Sequence, residues 1–415
     1  RKDVGVRVSP RAYLESQTSS AELSPRSLGN VEDSFKADPN VCLEAEVPVF
    51  QSRIRRSLAS ALGILVVVVF LSSTLQAQEE RNVRSDTSLK VGGLLALTGP
   101  GAEFSLDIRQ GLELAIRQLE EQHEVSIELL AEDSRMEVAP SLTAFRRLRA
   151  QHDVRYFVVL GSGPVLALKP LLQQEQVFVS TSAAHQDVLT DDPPIIRHSN
   201  HSSYDAAELA SYVAATLMVK NVTVLTLENE WSTSFSEELK RKLESHGVVH
   251  QEKTFRADDA DLRPLILAAK AAASDAVIAV TFGPSLVQLM RAAKELQLQQ
   301  PFVANIGFAI TEGAREQAAK LALNSFHYQD TPTIPAGFRE LFLSQFGREP
   351  SGYWALSAYT DMEMLVEAWL NARGSASQGA AYLKSLGEFK GRFETVTVGK
   401  DGDILIKTEM RRMPR

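Results

Sequence analysis

Two doubly wound α/β lobes are what this sequence predicts. Three observations carry the expectation. From about residue 89, short apolar runs alternate with amphipathic helical segments, the order that gives a parallel sheet with right-handed crossovers. That rhythm restarts after about residue 200. The 415 residues leave room for two ordinary domains once an N-terminal leader is set aside.

The elements follow in chain order. Residues 89–97 read as a strand. The segment 108–119 places apolar residues at 108, 112, 115, 116 and 119, one face of a helix. Residues 125–130 are the next strand and 141–149 the next helix. The strand at 156–160 is wholly apolar, apart from the Tyr156 hydroxyl, as expected where both faces of a sheet are covered. A helix at 164–174 and a short strand at 177–179 follow. The second rhythm comprises a helix at 206–219, a strand at 222–227 and a helix at 235–245. Gly247 then suits a left-handed turn after that helix. Strands at 248–255, 276–280 and 302–304 alternate with helices at 262–273 and 286–296. The tail reads as helices at 338–346, 355–372 and 380–386. Two closing strands, 392–398 and 404–408, are joined through a turn at 399–403 that contains Asp-Gly.

Composition narrows the function. Formal net charge is −8, and residues beyond 77 carry 35 Lys/Arg against 44 Asp/Glu, a net −9. Mild acidity without basic clusters argues against a nucleic-acid partner. Cys42 is the single cysteine, so residues after 77 offer no disulfide, no thiol nucleophile and no cysteine-held metal.

The N-terminal part reads as export machinery. Arg53, Arg55 and Arg56 precede an uncharged stretch at 57–78 with an apolar centre at 61–71 and a small residue, Ala77, near its end. This is the pattern of a signal peptide over 53–77, cleaved after Ala77. The rival reading is an uncleaved membrane tether through 57–78, since the stretch is just long enough to span a bilayer of ~30 Å. Either way residues 78–415 are expected outside the cytoplasm, periplasmic or extracellular. Residues 1–52 are rich in Ser, Pro and Glu and are expected to be a disordered extension. No Met precedes Met136, so translation starting near Val47 or Val49 is a further expectation.

In open parallel sheets, ligands sit beyond the carboxyl ends of the strands, where loops meet helix N-termini. Unpaired N–H groups there hold small anions without a basic residue. Four loops stand out: 98–104 (TGPGAEF), 161–164 (GSGP), 180–185 (STSAAH) and 228–231 (ENEW). Singly, each has a plainer reading as a helix start, a cap or a packing aromatic. Together they occupy the same end of their strands.

These residues resemble a family. The run 90–100 (KVGGLLALTGP), followed by 111–115 (GLELA) and 177–184 (VFVSTSAA), is similar to the type I periplasmic binding proteins, and most of all to the leucine/isoleucine/valine-binding proteins of ABC transporters. The resemblance continues through 222–247, 276–298 and 353–368, covering nearly all of 88–415. It implies the type I periplasmic binding fold, with two lobes joined by three crossover segments and the ligand between them. It places lobe one at 88–202 and 331–394, and lobe two at 203–330 and 395–415. Hinges would lie near 199–203, near 330–335 and after Phe393. The resemblance also implies a carboxylate anchor at Ser162 and at Ser182, Ala183 and Ala184, with Ala184 standing where Thr is common. Aromatic walls would be Phe104, Trp231, Phe282 and Tyr359. The family's acidic partner for a ligand ammonium falls near 305–307, where this chain has Asn-Ile-Gly. A buried ammonium without an anion is costly, so amino-acid specificity is put in question.

The implied role is a solute-binding protein without cofactor or catalysis, with a small-molecule ligand and the membrane subunits of an ABC transporter as partners. The alternative is a membrane-tethered sensing ectodomain of the same fold. No nucleophile elbow, Walker A or dinucleotide fingerprint supports an enzyme. His198 and His201, with Asp187, Asp191 and Asp192 upstream, read as a polar lobe-crossing segment rather than as a metal site.

Overall fold

A computed structural model describes residues 88–99, 101–311, 313–372 and 375–414. The expected extension, signal peptide and tether lie outside the described residues. Residues Glu79–Arg415 form one compact unit. Among the described residues no helix is long and apolar enough to cross a membrane.

The first lobe is a six-stranded sheet. In chain order it runs β1 (Ser88–Leu95), α1 (Ala102–His123), β2 (Ser126–Asp133), α2 (Val138–His152), β3 (Tyr156–Val159), α3 (Ser162–Leu172), β4 (Phe178–Thr181) and β5 (Ile195–His198). The second lobe follows with α4 (Ser202–Ser211), β6 (Asn221–Leu227), α5 (Glu230–Ser245), β7 (Val249–Phe255), α6 (Arg263–Ala271), β8 (Ala276–Val280), α7 (Gly283–Glu295), β9 (Phe302–Ala304), α8 (Ala314–Leu321) and β10 (Phe326–Asp330). The chain then returns to lobe one as α9 (Ala336–Phe346), α10 (Trp354–Asn371), α11 (Ala376–Leu386), the hairpin β11 (Glu388–Lys390) and β12 (Thr395–Thr397), and β13 (Asp403–Ile404). It ends in lobe two as β14 (Glu409–Arg412).

Sheet order is β13-β5-β4-β3-β1-β2 in lobe one and β14-β10-β9-β8-β6-β7 in lobe two. Every ladder in these two sheets is parallel except β10 with β14. The apolar strands bury both faces. In β3, Tyr156 and Val158 enter one core cluster, while Phe157 and Val159 enter another. In β8, Val277 and Ala279 face one cluster, and Ala276, Ile278 and Val280 the other. Gly247 takes φ +69°, the left-handed turn expected after α5.

Two expectations change. Residues 392–398 and 404–408 do not pair with each other. Thr395–Thr397 pairs antiparallel with Glu388–Lys390, whereas Asp403–Ile404 lies parallel to β5. The Asp-Gly turn forms, with Gly399 N–H on the Asp403 carbonyl at 2.8 Å, but it feeds a different sheet edge. The lobe boundary moves with it. Sheet membership keeps 395–404 in lobe one, so the third crossover is 405–408 rather than the segment after Phe393. The other crossovers are 199–201 and 331–335.

Four strands are also new, β5, β10, β11 and β14. β5 and β10 were not evident in the sequence because their runs, IIRH and FHYQD, mix polar groups into buried strands. Each of these polar side chains has a partner, although the Gln329 amide oxygen has none among the described residues. Arg197 reaches Asp403 through two bonds of 2.8 Å, and His327 meets Tyr212 at 2.8 Å.

Candidate functional site

The loops that leave the strand ends of the two lobes face each other and touch. The Gln186 N–H of lobe one donates to Ser234 Oγ of lobe two at 3.4 Å. A cavity of about 70 Å³ is walled by Phe104, Asp107, Ser351 and Trp354 from lobe one and by residues 308–311, Gly313 and Arg315 from lobe two. That volume holds about two waters, at ~30 Å³ each. The lobes therefore stand closed.

In lobe one, the loop after β1 is tied down by Asp133 at the end of β2. Asp133 accepts from Leu97 N at 2.9 Å, Thr98 N at 3.3 Å and Thr98 Oγ1 at 2.6 Å. Burial works against its charge, but these bonds and one from Arg135 N–H outweigh it, so its pKa lies below the ordinary value. The fixed loop sets Phe104 in the first turn of α1, edge-on to Trp354 at 5.6 Å.

The expected carboxylate anchor is only partly available. The first turn of α3 leaves N–H groups without intrahelical acceptors, and Pro164 has none to contribute. Ser162 is buried, and its Oγ accepts from His185 N at 3.2 Å. Ala183 faces the lobe core, and its N–H is spent on Thr181 Oγ1 at 3.0 Å. Ala184 is buried, with its carbonyl held by Ser202 N and Oγ, both at 2.8 Å. The Ser182 hydroxyl makes no hydrogen bond among the described residues, so it remains a free group of this loop.

In lobe two, Asn229 caps α5 by accepting from Ser232 N at 2.8 Å. The cap presents Trp231, which is half-buried and edge-on to Phe282 at 5.6 Å and to Phe235 at 6.4 Å. Trp231 and Phe282 thus come together as one aromatic wall. Tyr359 does not join it. Its ring is 1% exposed and packs on Phe338 and Phe393 inside lobe one, with its hydroxyl on Gln118. Tyr359 is withdrawn as a wall residue, because α10 turns this position toward α1 and α9.

The structure adds residues that the sequence did not single out. Ser232 Oγ, Thr281 Oγ1, Asn305 Nδ2 and Trp354 Nε1 are buried without a hydrogen-bond partner among the described residues. The first three follow β6, β8 and β9; the last opens α10 beside the cavity. Buried donors without acceptors are costly, and their concentration at the strand ends fits a site awaiting an acceptor-bearing ligand or water. Glu230 is the other addition. A Cβ built on Gly163 would lie 2.8–3.0 Å from the Glu230 carboxyl, so this carboxylate of lobe two rests directly on the start of α3. A side chain at 163 would push this carboxyl aside. A sequence signal existed for both: Glu230 lies within the ENEW loop, and Trp354 follows a Ser-Gly pair at a helix start.

The two histidines do not converge. His198 is buried between Asp361 Oδ1 at 2.9 Å and the Tyr353 hydroxyl at 3.2 Å. Burial disfavours its protonation, but the Asp361 carboxylate outweighs that and lifts its pKa above the ordinary value. His201 instead caps α4, its Nδ1 accepting from Tyr204 N at 3.2 Å. Among the described residues no group of three or more His, Cys, Asp or Glu side chains is arranged to hold a metal ion.

Paired α/β lobes, three crossovers and facing strand-end loops define a two-lobed binding protein. The chain belongs to the periplasmic binding protein family, whose model matches residues 88–409. Among solved structures it is similar to the leucine-binding protein LivK of Thermotoga maritima, with TM-score 0.68 and 18% identity, covering 78% of this chain and 94% of that one. The branched-chain amino acid binding protein LivJ of Streptococcus pneumoniae, in complex with isoleucine, gives TM-score 0.68 and 18% identity over 78% of this chain and 95% of that one. A solute-binding protein of R. palustris in complex with benzoate gives TM-score 0.69 and 15% identity over 79% and 93%. At such identities the likeness speaks to fold. No curated protein matches the chain by sequence.

Proposed function

We propose that this protein is an extracytoplasmic solute-binding protein of an ABC transporter that closes on a small carboxylate-bearing molecule, an amino acid or a related organic acid. The observation that carries the reading is the set of buried, unpartnered donors at the strand ends of lobe two and, through Trp354, beside the cavity between the lobes. Free N–H groups at the start of α3 and the Ser182 hydroxyl suit a carboxylate. Trp231, Phe282 and Phe104 supply apolar surface. Glu230 favours an amino acid over a plain acid. Its carboxylate has no hydrogen-bond or ion-pair partner among the described residues, and it sits beside the anchor, where an α-ammonium would stand. It thus offers from the loop after β6 the anion that 305–307 lacks.

A thermal-shift screen over amino acids, aromatic acids, fatty acids and short amides tests the reading. A ligand at 100 times its Kd adds ~2.7 kcal/mol of stability, a readable rise in Tm. Zwitterionic amino acids should give larger shifts than the matching deaminated acids. A response confined to uncharged sugars or nucleosides would refute the carboxylate reading.

A further inference from the structure

One buried cluster lies away from the ligand loops and joins all three crossovers. Asn200 comes from the first, Gln329 is next to last in the strand that leads into the second, and Thr408 closes the third. They converge on Asp205 and Glu208, one turn apart on α4. Asp205 Oδ1 lies 2.7 Å from Asn200 Nδ2, 3.0 Å from Thr408 Oγ1 and 3.2 Å from Gln329 Nε2. Glu208 Oε2 lies 2.8 Å from the same Thr408 Oγ1 and 2.7 Å from the same Gln329 Nε2. Asn200 Oδ1 also accepts from Ile406 N at 2.9 Å, binding the first crossover to the third.

Counting hydrogens exposes a shortage. The Thr408 hydroxyl has one proton to donate but touches two carboxyl oxygens at hydrogen-bond distance. Both contacts are satisfied only if one carboxyl carries a proton and donates it to Thr408 Oγ1. No cation relieves the pair, since among the described residues neither Asp205 nor Glu208 has an ion-pair partner. The charged groups of the neighbouring elements are otherwise engaged. On β14, Arg411 is held by Glu409 and lies 3.4 Å from Asp330, and Arg412 acts on Tyr212 and His327. On α5, Glu238 pairs with Arg241. On β10, burial depresses the pKa of His327 to about 4, so it stays neutral.

We propose that Asp205 and Glu208 share one proton that knots the three crossovers in the closed form, making lobe closure pH-sensitive. Losing the proton puts two like charges on adjacent turns with a single hydroxyl between them, and the knot loosens. The titration behaviour agrees. Burial pushes Asp205 up to about 7; bonds from Asn200 and Thr408 oppose this, and the Glu208 charge adds to it. The sign follows. Where the open form holds Asp205 nearer its ordinary value, the closed form binds the proton more tightly, so the stabilisation of closure is complete at low pH and is lost as pH rises through about 7.

The inference rests on lobe closure but not on the identity of the ligand. Trp231 and Trp354 sit on opposite sides of the closed interface, so emission of the intact, ligand-free chain reads opening. Between about pH 4 and 7.5 we expect a red shift with one-proton steepness, the open-to-closed ratio changing up to tenfold per pH unit and levelling off above about 7. Asp205→Asn, neutral and close to isosteric, should abolish the step and keep the low-pH emission at high pH, whereas Glu208→Gln, which removes only the like charge, should move the step to lower pH. The second variant serves if the more deeply buried Asp205→Asn fails to fold. A wild type without the step, or the same step in both variants, overturns the proposal. A failed ligand screen would leave this titration standing.

Discussion

Trp231 shows what one side chain decides. Its indole stands on lobe two in edge contact with Phe282 and Phe235, yet it is only half-buried. The exposed half is surface that a ligand would cover. Trp231→Ala should weaken binding of a ligand from the screen by about 2 kcal/mol, the size of a hot spot. Unliganded stability should fall by less than the ~3–5 kcal/mol of a core aromatic truncation. Titration and urea unfolding of the same variant separate the two costs. Affinity equal to the parent would remove Trp231 from the site. The residues around it differ in how readable they were. Trp231 and Phe282 follow apolar strands directly, so local pattern found them. Ala183 and Tyr359 were placed by resemblance, and packing decided otherwise: one N–H was spent on Thr181, and one ring was turned into the lobe-one core. Trp354 escaped because its neighbours in the site, Phe104 and residues 308–311, belong to other elements far from it in sequence.

At the scale of elements, the helix pair α1 and α10 shows how sequence sets packing. A Cβ built on Gly111 would lie 2.1 Å from the Ala355 carbonyl oxygen and 3.2 Å from the Ala358 Cβ. The first partner is backbone and cannot step aside, so the two helices cross at a distance only glycine permits. Gly111→Ala should therefore destabilise the fold by about 1–3 kcal/mol, against the usual gain from alanine in a helix. Chemical denaturation gives the value; a neutral or stabilising result would mean the helices separate freely. The strands teach the complementary lesson. β3 and β8 were legible because apolar residues fill both faces, and no helix period competes. β10 was not, because His327, Gln329 and Asp330 are buried polar groups whose partners, Tyr212, Glu208 and Arg315, belong to other elements. A sequence window cannot show that such groups will be satisfied. The tail failed for a related reason. Its Asp-Gly turn was correctly seen, but the turn does not say which sheet receives the next strand.

For the whole molecule, the proposed function makes the arrangement described one end of a motion. The lobes touch through Gln186 and Ser234 and line a cavity of about 70 Å³ between them. Only the crossovers 199–201, 331–335 and 405–408 join the lobes covalently, so hinge bending there separates them while each sheet stays intact. Trp354 Nε1 beside the cavity and the Glu230 carboxylate on the start of α3 lack partners, and water satisfies them better than this closed contact does. Without ligand, and above about pH 7, the open form should therefore dominate. A ligand that supplies acceptors to the donors and an ammonium to Glu230 reverses that balance, through differential affinity for the closed form. Small-angle scattering on the compact unit Glu79–Arg415 should show the radius of gyration falling as a confirmed ligand is added, with the saturated curve matching the closed arrangement. Trp231→Ala should require more ligand for the same fall. If scattering at saturation is unchanged from the free protein, closure is not how this molecule captures its solute.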